Sequence, residues 1–332
     1  MSATTIRDIA VALGVTPSTV SRALSGNPYV KESTRAAILK KARELGYERN
    51  VMASNLRKGT TNIVGIIVPR INREFFGNVI SGAEAVFSEA GYSVVICQTH
   101  ERLEDEKAAL KVLAGEQVAG IMISHSSETV SGEHILDAIG ESVKLVQFDR
   151  VIEGLPGSIV INDDFKGAYT ATKHLIDNGY KRIGALVGFM DTILFKRRYE
   201  GYAAALADAG MPLDPDIVYE NTILRENGYE STVKAIAAGC DAIYSSGDFS
   251  ALGALECALK HGLKVPEDFG IVGTANETFT SLVSPRMSSV DQHPFEMGRS
   301  SASAMIRLLS GETQGEEILI GTTLVTRQSS TR

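Results

Sequence analysis

Two spacings of apolar residues divide this chain. Near its start, Ile6, Ile9, Ala10 and Leu13 fall at i, i+3, i+4 and i+7, which predicts a short helix with one apolar stripe. Gly14 ends that helix. Thr16 is placed to cap the next one by accepting a backbone N–H, and Pro17 takes the first helical position, where its missing N–H costs nothing. Val20, Ala23 and Leu24 form the buried stripe of this second helix, leaving Pro17, Ser18, Ser21 and Arg22 on the outer face. After the turn Ser25-Gly26-Asn27-Pro28, a third helix is predicted from about 32 to 45, with Ile38, Ala42 and Leu45 inward, a poor cap in Lys31, and Gly46 as its stop. Residues 51–57 read as a further helical segment and 58–61 as a linker. A helix of about seven residues does not hold alone in water, because nucleation is costly, so this segment needs a partner.

From Asn62 onward, β-branched apolar runs alternate with helical stretches. Strands are predicted at 63–68, 93–98, 118–124, 144–149, 158–162, 182–187, 241–246, 269–274 and 318–326, and helices at 76–90, 105–114, 164–178, 196–209, 226–238, 248–261 and 294–309. This is the signature of parallel α/β units, in number enough for two doubly wound sheets. A ligand cleft is expected at the carboxyl ends of their strands.

Charge sharpens the division. The chain of 332 residues has a net charge of −7, yet residues 1–58 hold ten Lys/Arg against four Asp/Glu, a surplus of +6, and the remainder stands at −13. A basic end on an acidic body suits a phosphate-binding headpiece joined to a domain that does not bind DNA. Small hydroxyls and one arginine on the second helix suit a major groove, where arginine grips guanine O6 and N7 with two hydrogen bonds. The three cysteines, Cys97, Cys240 and Cys257, lie far apart among apolar neighbours, as reduced thiols in the cytoplasm would. The first residues have no apolar signal core, and runs such as 63–68 are too short to span a bilayer, so no membrane partner is expected.

An enzyme reading finds little. There is no G-x-S-x-G, no phosphate-loop motif, no H-E-x-x-H and no strand-following G-x-G-x-x-G. The six histidines lack metal spacing, and His125 and His134 read as solvated loop residues. No catalytic group, metal or cofactor is expected.

The residues Ile6-Arg7-Asp8-Ile9-Ala10, Gly14 to Arg22, Val30, Ser33-Thr34-Arg35, Leu45-Gly46-Tyr47, Asn50 and Leu56 together resemble the LacI/GalR family of bacterial transcription regulators. The likeness continues through Ile66-Ile67-Val68-Pro69, Phe75-Phe76, Gly179 to Ile183 and Gly262 to Pro266, nearly the whole chain in order. The resemblance implies an all-α helix-turn-helix headpiece (1–49), a hinge helix and linker (50–61), and a two-lobed α/β core like a periplasmic binding protein. One lobe would take 62–161 with 291–322, the other 162–290 with 323–332. It further implies a homodimer on a near-palindromic operator in double-stranded DNA. Thr16, Pro17, Ser18 and Arg22 would face bases, and Thr5, Ser21, Thr34 and Asn50 phosphates. Ala53 and Leu56 of the hinge would lie at the DNA, with Leu56 as a wedge in the minor groove, where unstacking a base step is offset by the contact a bent duplex allows.

For a small-molecule effector the resemblance points to Phe75, Phe76, Asp149, Asn162, Asp163, Arg198, Asp248 and Asn276. Arg198 leads, as an arginine whose planar fork grips ring hydroxyls or a carboxylate. The chain departs from many relatives at Ala275, where an aspartate is common, and at Gly247, where sugar-binding members often have asparagine. A ligand-responsive repressor of a carbohydrate-related operon is the leading expectation. The alternatives are control by a protein corepressor or a non-sugar molecule and, more distantly, a solute-binding protein or an α/β enzyme.

Overall fold

A computed structural model describes residues 4–24, 29–47, 61–140 and 143–332. The turn expected at 25–28 and the hinge segment with Asn50, Ala53 and Leu56 lie outside the described residues. The chain forms two compact units, Met1–Gly59 and Thr60–Arg332.

In the first unit, α1 (Ile6–Leu13), α2 (Pro17–Leu24) and α3 (Glu32–Glu44) enclose a core of Ile9, Ala10, Val20, Ala23, Ile38 and Ala42. Thr5 and Asp8 cap α1 reciprocally: Asp8 N–H donates to Thr5 Oγ1 at 3.4 Å, and Thr5 N–H donates to Asp8 Oδ2 at 2.7 Å. Gly14 ends α1 at φ 62°, a left-handed conformation that favours glycine. Thr16 caps α2 as expected, accepting from Thr19 N–H at 3.2 Å. Leu45 departs from expectation. The helix stops at Glu44, which carries Leu45 off the buried stripe, and Tyr47 packs on the core in its place.

The second unit has two six-stranded sheets. The first contains β1 (Ile63–Val68), β2 (Ser93–Gln98), β3 (Gly120–Ile123), β4 (Lys144–Phe148), β5 (Ser158–Asn162) and β11 (Glu317–Ile320), in the order β11-β5-β4-β3-β1-β2, all parallel. The second contains β6 (Ile183–Leu186), β7 (Val218–Tyr219), β8 (Ala242–Ser245), β9 (Gly270–Thr274), β10 (Ser288–Asp291) and β12 (Thr323–Val325), in the order β12-β10-β9-β8-β6-β7. Only β12 runs antiparallel, against β10. The central strands are buried on both faces, which is why they read as continuous β-branched runs.

Helices α4 (Glu74–Glu89), α5 (Leu103–Gly115), α6 (Glu133–Ile139) and α11 (Pro294–Leu309) cover the first sheet. Helices α7 (Asp164–Asp177), α8 (Ile193–Asp208), α9 (Arg225–Ala237) and α10 (Asp248–Lys260) cover the second. α4 and α11 approach so closely that a Cβ on Gly82 would stand 2.1 Å from the Phe295 carbonyl oxygen. The chain passes between the sheets three times: after β5, after β10, and through Gly321-Thr322. The single strand expected over 318–326 is therefore two strands in different sheets.

Candidate functional site

The headpiece presents α2 by its outer side. Thr16, Pro17, Ser18 and Arg22 are exposed and Ser21 is half-buried. Val20 and Ala23, on the opposite face, are buried, so packing fixes which side chains point outward. The Thr16 hydroxyl lies 2.8 Å from those of Ser18 and Thr19, forming a small polar cluster at the start of the helix. Thr5 caps α1, and Thr34 sits half-buried in the first turn of α3. This convex surface of hydroxyls and a guanidinium, on a small basic unit, has the chemistry to meet a nucleic-acid groove.

In the second unit a cleft opens where the two sheets present the carboxyl ends of their strands, enclosing about 130 Å³. Phe75, Phe76, Asp149, Arg198 and Asp248 line it. The two phenylalanines meet edge to face, centroids 5.1 Å apart, and both are also buried in the core of the first lobe. Arg198 is 5% exposed; its Nε donates to Asp164 Oδ1 and its Nη1 to the Ser246 carbonyl, each at 2.7 Å. Burial opposes its charge, but Asp164 more than offsets this and its pKa rises. Burial pushes Asp149 up to about 6, and Asp248 up to about 7. Asp248 accepts from Ser289 Oγ at 2.7 Å and Glu277 N–H at 2.8 Å.

The other three expected residues stand outside that lining. Asn162 is a tie between chain crossings: its Nδ2 donates to the Gln292 carbonyl at 2.8 Å, and its Oδ1 accepts from Gln292 Nε2 at 3.1 Å. Its amide is spent on fold contacts. Asp163 caps α7, accepting from Lys166 N–H at 3.0 Å. Asn276 donates to Asp291 and accepts from Arg327, at 2.9 and 2.7 Å, so it braces the second lobe.

Several lining residues escaped sequence reading. Arg73 places its guanidinium carbon 3.7 Å from the centroid of the Phe249 ring, joining the first lobe to the second. Beside it, Thr278 donates from N–H and Oγ1 to the Glu74 carboxylate at 2.8 and 2.6 Å. The Glu277 carboxyl lies near both the Glu74 carboxylate and Arg73, and burial raises its pKa. Only the loop after β1, apolar strand followed by Pro69-Arg70, hinted at these arginines. His125 also differs from expectation. It is 2% exposed, with Nε2 2.8 Å from Gln147 Oε1, and His134 Nε2 lies 2.9 Å from the buried Glu106. Long-range partners bury what reads locally as a loop. Among the described residues no cluster is suited to hold a metal ion, and no helix is long and apolar enough to cross a membrane.

A helix-turn-helix unit joined to a two-lobed unit with a polar cleft between its sheets defines a DNA-binding regulator with a ligand-binding body. Comparison with known proteins gives the family. Residues 5–50 match the bacterial regulatory proteins of the lacI family, and residues 172–330 match a periplasmic binding protein-like domain. The chain is 31% identical over 313 residues to the HTH-type transcriptional regulator RegA of Clostridium saccharobutylicum, covering 93% of each chain. It is 30% identical over 317 residues to the HTH-type transcriptional repressor PurR of Pasteurella multocida (strain Pm70), covering 95% of each. Among solved structures, the transcriptional regulator CelR–cellobiose complex aligns with a TM-score of 0.74 at 28% identity, covering 98% of this chain and 99% of that one. The lac repressor dimer bound to operator and the anti-inducer ONPF, at 21% identity and a TM-score of 0.85 over both whole chains, has the same fold. The chain belongs to the LacI family of bacterial transcription regulators, and its relatives are regulators, not enzymes.

Proposed function

We propose that this protein is a ligand-responsive transcription repressor that acts as a homodimer on a near-palindromic operator in the cytoplasm, and that its effector is a carbohydrate or a carbohydrate derivative. The observation that carries the reading is the outward face of α2, with Thr16, Pro17, Ser18 and Arg22 exposed on a basic unit whose other face is core. These residues read bases, while Thr5, Ser21 and Thr34, with Asn50, hold phosphates. Ala53 and Leu56 act at the operator centre. Exposed Val95 and Ile96 on the edge strand β2 support a second copy as partner.

The cleft that holds Phe75, Phe76, Asp149, Arg198 and Asp248 takes the effector. A carbohydrate is supported by the CelR–cellobiose complex, which this chain resembles along nearly its whole length. Asn162 and Gln292, at the crossings between lobes, are placed to transmit lobe movement, so a ligand that favours one lobe arrangement alters operator affinity by the difference in its affinity for the two. The test is selection from a pool of random double-stranded oligonucleotides by the purified full-length protein. The expected result is one enriched near-palindrome, and a pool without enrichment removes the reading.

A further inference from the structure

Most of the charged groups that line the cleft have close partners of their own. Glu101 accepts from Arg150 at 2.5 and 3.1 Å and from Ser127 N–H at 3.0 Å, so both members of that ion pair are engaged. Arg198 is held by Asp164. Asp248 is satisfied by Ser289 and Glu277 N–H, and Asp149 accepts from Ser124 Oγ at 3.2 Å. The Glu277 carboxylate lies near Arg73 without reaching ion-pair distance, and offsets part of its charge. Two guanidinium groups remain, both from the loop after β1. Arg70 reaches only 3.9 Å from Glu101, which Arg150 already occupies. Arg73, half-buried, lies flat on Phe249 with no carboxylate at ion-pair distance among the described residues.

Three further features favour negative charge at the same place. Burial raises the Asp248 pKa to about 7, so this carboxyl is only partly ionised near neutrality. Helices α8 and α10 both begin at the cleft, and their N-caps Thr192 and Gly247 supply no side-chain cap, so first-turn N–H groups keep a positive field there. Ser246 lines the cleft 2% exposed, its hydroxyl without a hydrogen-bond partner. A buried hydroxyl left so is a site for a ligand hydrogen bond.

We propose that the effector is a small polyhydroxylated compound bearing a carboxylate or a phosphate, whose anionic group is held by Arg73 with Arg70 at the mouth of the cleft, against Phe249. This rests on reading the cleft as the effector site. Because Arg73 comes from the first lobe and Phe249 from the second, an anion bound there draws on both and favours their closed arrangement. The enclosed 130 Å³ suits a single sugar-sized unit better than a long oligomer.

The test uses the full-length protein, with thermal shift and calorimetry on matched sets: glucose, glucuronate and glucose 6-phosphate; galactose, galacturonate and galactose 6-phosphate; ribose and ribose 5-phosphate. The expected result is that an anionic member binds more tightly than its neutral parent by about ten- to a hundredfold, the range of a charge-assisted hydrogen bond. Arg73→Gln is expected to erase most of that preference and Arg73→Lys to restore part of it. Preference for the carboxylate or the phosphate member identifies which anion is used. A neutral sugar that binds as tightly as its anionic partner overturns the proposal, as does a set of anions none of which binds in an Arg73-dependent way. Gly247→Leu separates this from the cleft reading. A Cβ at Gly247 meets only Ser250 Oγ, at 3.8 Å, so a leucine there fills the cleft without disturbing the backbone. Binding that survives Gly247→Leu overturns the cleft itself, whereas neutral-sugar binding abolished by Gly247→Leu leaves the cleft standing and removes only the anion.

Discussion

The headpiece and the ligand-binding unit handle charge in opposite ways. In the headpiece no described charged side chain is fully buried, Arg35 and Lys41 being half-buried and the others exposed, and two described ion pairs are local, Arg35 with Glu32 and Lys41 with Glu44. In the larger unit Arg198, Asp164 and Asp248 are each less than 7% exposed, and their partners lie 29 to 48 residues away in sequence. An exposed cation can wait for a counter-charge from outside, and a phosphate backbone supplies it at little desolvation cost. A buried charge must carry its own counter-charge permanently, because uncompensated burial is expensive. The first arrangement suits a surface that binds a long polyanion, the second a cavity whose shape must persist while empty.

The contrast can be broken where it is strongest. Arg198→Ala leaves Asp164 buried and unpaired, and is expected to lower the stability of the ligand-binding unit by about 3–5 kcal/mol, read from denaturant unfolding. Arg22→Ala in the headpiece is expected to leave unfolding within about 0.5 kcal/mol of the parent. Equal costs at the two positions would remove the distinction. Asp248 offers a pH test. Its folded pKa of about 7 lies above its ordinary value of 3.8, so its contribution to stability is fully present below about 4 and lost as pH rises through 7. Asp248→Asn keeps an acceptor for Glu277 N–H and turns an amide donor toward Ser289 Oγ, without titrating. The parent should therefore lose stability relative to this variant between pH 4 and 7, by at most about 1.4 kcal/mol per pH unit. Parallel pH profiles would show that Asp248 is charged throughout. A smaller loss is expected at the headpiece cap: Thr5→Ala removes the α1 cap, at a cost of about 1 kcal/mol in thermal unfolding of that unit.

What could be read from the sequence follows the same divide. The headpiece was legible almost to the residue, because its signals are local: stripes at helical spacing, Gly14 and Gly46 at φ near 60°, Pro17 at the first turn. In the larger unit the apolar strands announced themselves, but β10 reads Ser-Ser-Val-Asp and was missed, since Ser288 is satisfied by Ser329 and Ser330 and Ser289 by Asp248, all distant in sequence. The run at 318–326 looked continuous because nothing in apolar pattern marks a passage from one sheet to another. Cleft residues were found where the family resemblance pointed at strand ends, as with Asp149 and Asp248. Where a polar side chain has a structural partner, as Asn162 has in Gln292, it stands outside that cleft lining. Arg73 went unseen because its role depends on Phe249, 176 positions away in sequence and in the other lobe.

The claim on which the account turns is that the outer face of α2 reads sequence. It is tested most directly by measuring the affinity of the full-length protein and of Arg22→Ala for the selected near-palindrome and for random duplex, at two salt concentrations. The account predicts that Arg22→Ala weakens binding to the selected site by about 1–3 kcal/mol and relaxes preference at one base pair, with little change on random DNA. Equal loss on both duplexes, accompanied by a shallower salt dependence, would mean that Arg22 only neutralises phosphate and would contradict it.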